Sequence, residues 1–230
     1  MNDAQPKTST LAIVALVCIV LCAPLAVVLG IIALVKINDS KGQLTGKGLA
    51  IAAIVAPVAM VPVMGILAAI AIPNFIRYQL RSKGAEAKVV LRSLTSTQLS
   101  HYEEKGYFVA ARQTPSEAPS VVKAEWDAAP CPAECGKDNP AACSELSCLG
   151  YDGPAGPVYF RYACSTGGKE GSFICGAYGD LDGDGRFSVF IAGKGSLESL
   201  AAPLPAEIIE ACARVAFRDG EVIECTNNEF

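Results

Sequence analysis

A chain of 230 residues with 51% hydrophobic residues and a mean hydropathy of +0.35 is too apolar for an ordinary water-soluble protein. Its charge is unevenly spread: residues 1–73 carry four lysines against Asp3 and Asp39, and the remainder holds 15 basic and 21 acidic residues. An acidic carboxy-terminal part repels phosphate backbones, so no nucleic-acid partner is expected.

After an amino-terminal tail (1–10), Leu11 to Val35 forms 25 residues without a charge, and Leu49 to Ile76 forms 28 more. At 1.5 Å per residue each run is long enough to cross a hydrocarbon core, which predicts two transmembrane helices, 11–35 and 49–76. The first run is longer than a signal-peptide core and no A-x-A site closes it, so retention is expected. Leu21 before Cys22 is too bulky for a lipoprotein signal, and Cys18 and Cys22 read as small packing residues within the span. Pro24, Pro57 and Pro62 are tolerable inside membrane helices.

The connection between the spans, 36–48, is short and basic (Lys36, Lys41, Lys47), which the positive-inside rule assigns to the cytoplasm. Arg77, Arg81 and Lys83, just past the second span, pull the other way. Eight cysteines between Cys131 and Cys225 settle the expectation, because an even set belongs in an oxidising compartment. The predicted location is a multi-pass protein of a bacterial inner membrane, with its carboxy-terminal domain periplasmic or extracytoplasmic.

Past the membrane, Ala87, Val90, Leu91, Leu94, Gln98 and Tyr102 recur at three- and four-residue steps, which predicts an amphipathic helix over 77–106 stopped by Gly106. It joins the second span in one helix from about Leu49 to Lys105. Residues 107–157 read as a loop rich in Pro and Cys, irregular from Gln113 to Gly156. The head, 158–230, holds short β-rich runs at Val158 to Ala163, Ser172 to Tyr178 and Phe187 to Ile191, then a helix over Pro205 to Val215 and a last strand ending near Cys225. The predicted fold class is α+β: a transmembrane helical hairpin whose second helix continues into a long helix packed on a small antiparallel β-sheet.

The run Gly65 to Ile76 (GILAAIAIPNFI), followed at once by Arg77 and Tyr78, resembles the amino-terminal helix of type IV pilins and type II secretion pseudopilins. That resemblance implies a helix that leaves the bilayer and becomes the spine of a globular head. The segment from Thr10 to Met60, with GIIALVKI (Gly30 to Ile37) and GKGLAIAAIV (Gly46 to Val55), resembles a small family of bacterial two-helix membrane modules, which implies anchorage only. Fibre-forming pilins are cut before a Phe, with a Glu at the fifth mature position. Counting back from Gly65 puts Ala52 and Ala56 at those two places, so a prepilin peptidase is expected to leave this chain intact. Pulling the helix into a fibre would also drag a lysine-bearing loop through lipid, at about 2.5–3.5 kcal/mol per charge at mid-membrane.

The candidate metal residues are Asp180, Asp182, Asp184, Arg186 and Ser188, in the sequence Asp-Leu-Asp-Gly-Asp-Gly-Arg-Phe-Ser. The D-x-D-x-D-G opening is that of a calcium loop, where hard oxygens at alternate positions converge on one cation and the Arg186 carbonyl completes that side. Position twelve, a bidentate Glu in such loops, is Ile191, which leaves completion of the shell to Glu198, another carboxylate or water. The other reading is an acidic β-turn. Mutual repulsion of three alternate carboxylates favours calcium, with magnesium disfavoured for want of a tight octahedral cage.

Cys131, Cys135, Cys143 and Cys148 miss the C-x2-C spacing of zinc knuckles and read as disulfides, with three pairings open. Cys164 with Cys175 could tie neighbouring strands, and Cys212 with Cys225 could pin the terminus. No catalytic residue is assigned: His101, the sole histidine, has no partner motif, Trp126 reads as a packing or interfacial residue, and no phosphate-binding loop occurs. The chain is therefore expected to be a non-enzymatic pilin-like envelope protein whose partners are the membrane and envelope proteins of pilus or secretion assembly, with no small-molecule substrate. The alternative is a calcium-binding anchored domain with a sensing or scaffold role.

Overall fold

The computed structural model describes residues 7–8, 10–11, 13–15, 23–40, 44–117, 120–167, 171–200, 204–216 and 218–226. Cys18, Cys22, Lys41, Gly168 and the middle of the expected first span lie outside them. The chain divides into two compact units, Met1–Phe75 and Ile76–Phe230.

In the first unit, helix α1 (Ala23–Asp39) is joined by a short turn to α2, which starts at Lys47. Strands β1 (Lys7–Thr8) and β2 (Leu44–Thr45) pair in parallel beside that turn. The Ser40 hydroxyl donates to the Ile37 carbonyl at 2.7 Å and accepts from the Leu44 N–H at 3.1 Å, closing the end of α1. Ala26, Gly30, Ala33 and Ile37 make one buried stripe on α1, and Ala50, Ala53 and Pro57 are its buried counterparts on α2. Small residues let the two backbones approach: a Cβ on Gly30 would lie 3.2 Å from the Ala50 carbonyl oxygen.

α2 runs without interruption from Lys47 to Lys105 and contains Pro57, Pro62 and Pro73. From Val58 to Gln79 every residue is exposed, with Ile66, Ile70 and Phe75 each more than half accessible. The Val58–Ile76 part is apolar on all sides but for Asn74 and about 29 Å long, close to the thickness of a hydrocarbon core. The helix stops at Gly106, whose φ of +82° a side chain would resist and whose N–H donates to the Tyr102 carbonyl at 2.8 Å.

The second unit has an α+β fold. Five antiparallel strands lie in the order β3 (Ala111–Thr114), β4 (Arg161–Thr166), β5 (Phe173–Gly179), β6 (Ser188–Lys194), β7 (Ile223–Glu224). Alternate strand residues serve opposite faces. Tyr162, Phe173, Ala177 and Phe190 meet Leu80, Val90, Leu91 and Leu94 of α2, while Ile174, Tyr178, Val189 and Ile191 meet Leu204 and helix α3 (Ala206–Cys212). Helices on both faces explain why all seven residues of β5 are buried.

The long helix and the sheet are as the sequence predicts, and the three central strands lie one to three residues further along the chain. Two expectations are corrected. Residues 107–157 are not a loop throughout: β3 is a sheet edge, and short 3-10 turns occupy Pro140–Ala142 and Leu146–Leu149. The head also does not begin at residue 158, because α2 from Leu80 onward and the intervening segment share its core.

All eight carboxy-terminal cysteines are paired. Cys131–Cys148 encloses Cys135–Cys143, one of the three arrangements left open, while Cys164–Cys175 joins residues directly opposite on β4 and β5. Cys212–Cys225 fastens α3 to the end of β7.

Candidate functional site

The β5–β6 connection holds the predicted acidic turn. Asp180, half-buried, accepts hydrogen bonds from the Gly183 N–H at 2.7 Å and the Gly185 N–H at 3.2 Å. Asp182 accepts from the Asp184 N–H at 3.3 Å, and Asp184 from the Arg186 N–H at 2.7 Å. Both glycines sit at φ +81°, where a side chain would strain the backbone. The turn is tethered to α2, since the Lys83 ammonium donates to the Leu181 carbonyl at 2.9 Å and Leu181 itself is buried in the core.

This folding brings one oxygen from each of Asp180, Asp182 and Asp184 within 4.8 Å of the others. Arg186 is largely exposed, with its guanidinium 3.8 Å from Asp184. Ser188 is buried at the start of β6, opposite Gly179. Ile191 is fully buried in the α3-side core. Glu198 lies in a 3-10 turn beyond the other end of β6, and a seven-residue strand spans roughly 23 Å, so it does not serve this turn. The three carboxylates can offer hard oxygens to a cation, with water left to complete the shell. The same carboxylates also do what an acidic β-turn needs, because each takes up backbone N–H groups.

Sequence reasoning missed a second cluster beside the turn. Glu86 on α2 accepts from the Tyr159 N–H at 2.7 Å and lies 3.5 Å from the Tyr162 hydroxyl and 3.6 Å from the Lys123 ammonium. Lys83 and Lys123 flank the Tyr159 ring at 4.8 and 4.9 Å from its centroid. Burial, reinforced by Glu86, pushes the Tyr162 hydroxyl well above the ordinary phenol range. The only signal in the sequence is a Glu on the core-facing side of an amphipathic helix, and its two tyrosine partners are more than seventy positions away.

A groove of about 700 Å³ runs along β3. Its charged groups are engaged internally: Arg112 pairs with buried Glu145 at 2.5 Å, and Arg161 donates to the Pro115 and Ser116 carbonyls at 2.8 and 2.9 Å. His101 packs edge-on against Tyr107 at 5.0 Å, and its Nε2 is buried with no hydrogen-bond partner among the described residues. Burial lowers its pKa, Lys105 lowers it further, and Glu104 opposes both.

Part of this chain is 56% identical over 46 residues to the type IV major pilin protein PilA of Myxococcus xanthus (strain DK1622). That segment is pilin-like. The match covers 20% of this chain and 21% of the pilin, so the chain spans about a fifth of the length of this relative. No family model matches the chain, and no solved structure matches it.

Proposed function

We propose that this chain is a membrane-anchored, pilin-like structural or interaction protein of the bacterial cell envelope, without enzymatic activity. The observation that supports this most is α2, whose exposed apolar girdle from Val58 to Ile76 continues in one helix into the spine of a disulfide-bonded α+β head. An all-round apolar surface of that length is costly in water and satisfied by lipid. In this reading α1 and α2 form a transmembrane hairpin, with the basic turn cytoplasmic and the head in an oxidising space outside. The head meets envelope proteins, pilus or type II secretion components among them, while the anchor stays in the membrane without fibre-type processing.

The test is topology in intact cells. Reporter fusions at the carboxy terminus are expected to be active only outside the cytoplasm, and mass spectrometry of the membrane fraction is expected to show residues 1–64 still attached to the head. A cytoplasmic carboxy terminus or a start near Ala52 would overturn the reading.

The clustering of Asp180, Asp182 and Asp184 supports a second reading, a calcium-responsive anchored domain. A ligand at a hundredfold excess over its dissociation constant stabilises by about 2.7 kcal/mol. Melting the full-length protein in detergent with millimolar calcium and with chelator is expected to separate the two curves, and Asp182→Asn with Asp184→Asn to merge them. Coincident curves for the unaltered protein would remove this reading.

A further inference from the structure

The segment between Cys131 and Cys148 covers the β3 edge of the sheet. Its inner side is fixed: the Ser144 carbonyl accepts the Arg112 N–H at 2.9 Å, buried Glu145 pairs with Arg112, and Cys143 and Leu146 lie in the core with α2. Its outer side is not. Among the described residues the backbone hydrogen bonds of 132–143 all close within that stretch, so this outer turn is held by the two sulfur bridges and by the burial of Cys143.

These two bridges differ from the others in access and in spacing. Cys131 is the exposed member of the eight paired cysteines, whereas Cys164, Cys175 and Cys212 are buried. The Cys135 Sγ lies within 4.8 Å of both sulfurs of the Cys131–Cys148 bridge. Once a sulfur is freed, rotation of one cysteine side chain closes such a gap. An exposed point of attack therefore sits next to a second bridge whose far end, Cys143, is buried.

We propose that Cys131–Cys148 is a thiol-exchange site, at which a dithiol opens the outer bridge and the exchange is relayed through Cys135 to Cys143. A thiolate of the dithiol bonds to Cys131 Sγ, the Cys131–Cys148 bond breaks, and its electron pair leaves on Cys148 Sγ. That thiolate attacks Cys135 Sγ and breaks the bond to Cys143, whose sulfur takes the electron pair and a proton. The second thiolate of the dithiol then closes on the first sulfur and releases Cys131 as a thiol. In sum the dithiol becomes a disulfide, two electrons and two protons pass to the head, and one bridge, Cys135–Cys148, remains. The relay ends at Cys143 because a buried thiol stays protonated and packs as a small apolar group. Cys143 directly precedes Ser144, so its release loosens the carbonyl that covers Arg112 and opens the β3 edge.

The experiment treats the full-length protein in detergent with an equimolar amount of dithiothreitol, traps thiols with iodoacetamide, and maps labels and bridges by mass spectrometry against the untreated protein. New labels at Cys131 and Cys143, with a Cys135–Cys148 bridge, are expected. New labels at Cys131 and Cys148 with Cys135–Cys143 intact would show plain reduction and overturn the relay. Labels first at Cys135 with Cys143, or at Cys212 with Cys225, would show that the outer bridge is not the point of entry and overturn the site. Hydrogen exchange at the Arg112 N–H is expected to lose its protection in the labelled product, and unchanged protection there would overturn the opening of β3 and leave the exchange standing.

Discussion

The side chain of Gln98 closes both backbone groups of Val109. Its Nε2 donates to the Val109 carbonyl at 2.6 Å and its Oε1 accepts the Val109 N–H at 3.0 Å, with Gln98 and Val109 both fully buried. A helical amide thus stands where a neighbouring strand would, and it fixes the chain as it turns from α2 towards β3. Replacing it with leucine strands a buried donor and a buried acceptor, each worth about 1–3 kcal/mol. Gln98→Leu is expected to destabilise the head by about 2–4 kcal/mol in denaturant melts of the detergent-solubilised protein followed by near-ultraviolet dichroism. Wild-type stability in that variant would show that water serves Val109 equally well.

Helix α3 rests on a bare stretch of backbone. A Cβ on Gly176 of β5 would lie 2.5 Å from Ile208 Cδ1 and 3.0 Å from its Cγ2. Overpacking of this kind costs about 1–3 kcal/mol, so Gly176→Ala is expected to lower the melting temperature, with Gly176→Ala/Ile208→Val recovering part of the loss. Unchanged melting in the single variant would mean that α3 shifts freely on the sheet.

The sole histidine reports on acid stability. Burial and Lys105 hold His101 below its ordinary 6.5 in the folded protein, so the neutral form is preferred there. The stability this confers is complete above the unfolded value and declines as pH falls from about 6.5 through the lower folded value. His101→Phe keeps an aromatic edge against Tyr107 and is expected to flatten that decline. Its single imidazole resonance in a nuclear magnetic resonance titration is expected at a midpoint below 6.5, and a midpoint above that value would refute the assignment.

Cys212–Cys225 closes a short loop around the last strand. Loops of this size are worth about 3 kcal/mol of chain entropy, so Cys212→Ser/Cys225→Ser is expected to loosen β7 from β6. Hydrogen exchange at the Cys225 N–H, which donates to the Val189 carbonyl at 2.8 Å, measures this directly.

The long helix and its inward face are legible in the sequence because Ala87, Val90, Leu91, Leu94 and Gln98 repeat with helical spacing and all five are buried. β4, β5 and β6 are legible because β-branched and aromatic residues cluster between glycines. β3 is not, since Ala-Arg-Gln-Thr carries no such signature and becomes a strand only through pairing with β4. Tyr102, read as an inward position, is 41% exposed and stacks on Phe108 at the margin. For the acidic turn, spacing alone indicated that Asp180, Asp182 and Asp184 converge. Its attachment to Lys83 depends on residues nearly a hundred positions apart, which no local pattern encodes.

The sheet has meagre margins. β7 is two residues long, β3 is four, and the outward N–H of Arg112 is already taken by the Ser144 carbonyl at 2.9 Å. Neither border offers a free ladder for a foreign strand, so among the described elements recruitment of other polypeptides falls to side-chain surfaces and away from β-addition. The head is thereby protected from zipping edge to edge onto a second copy of itself.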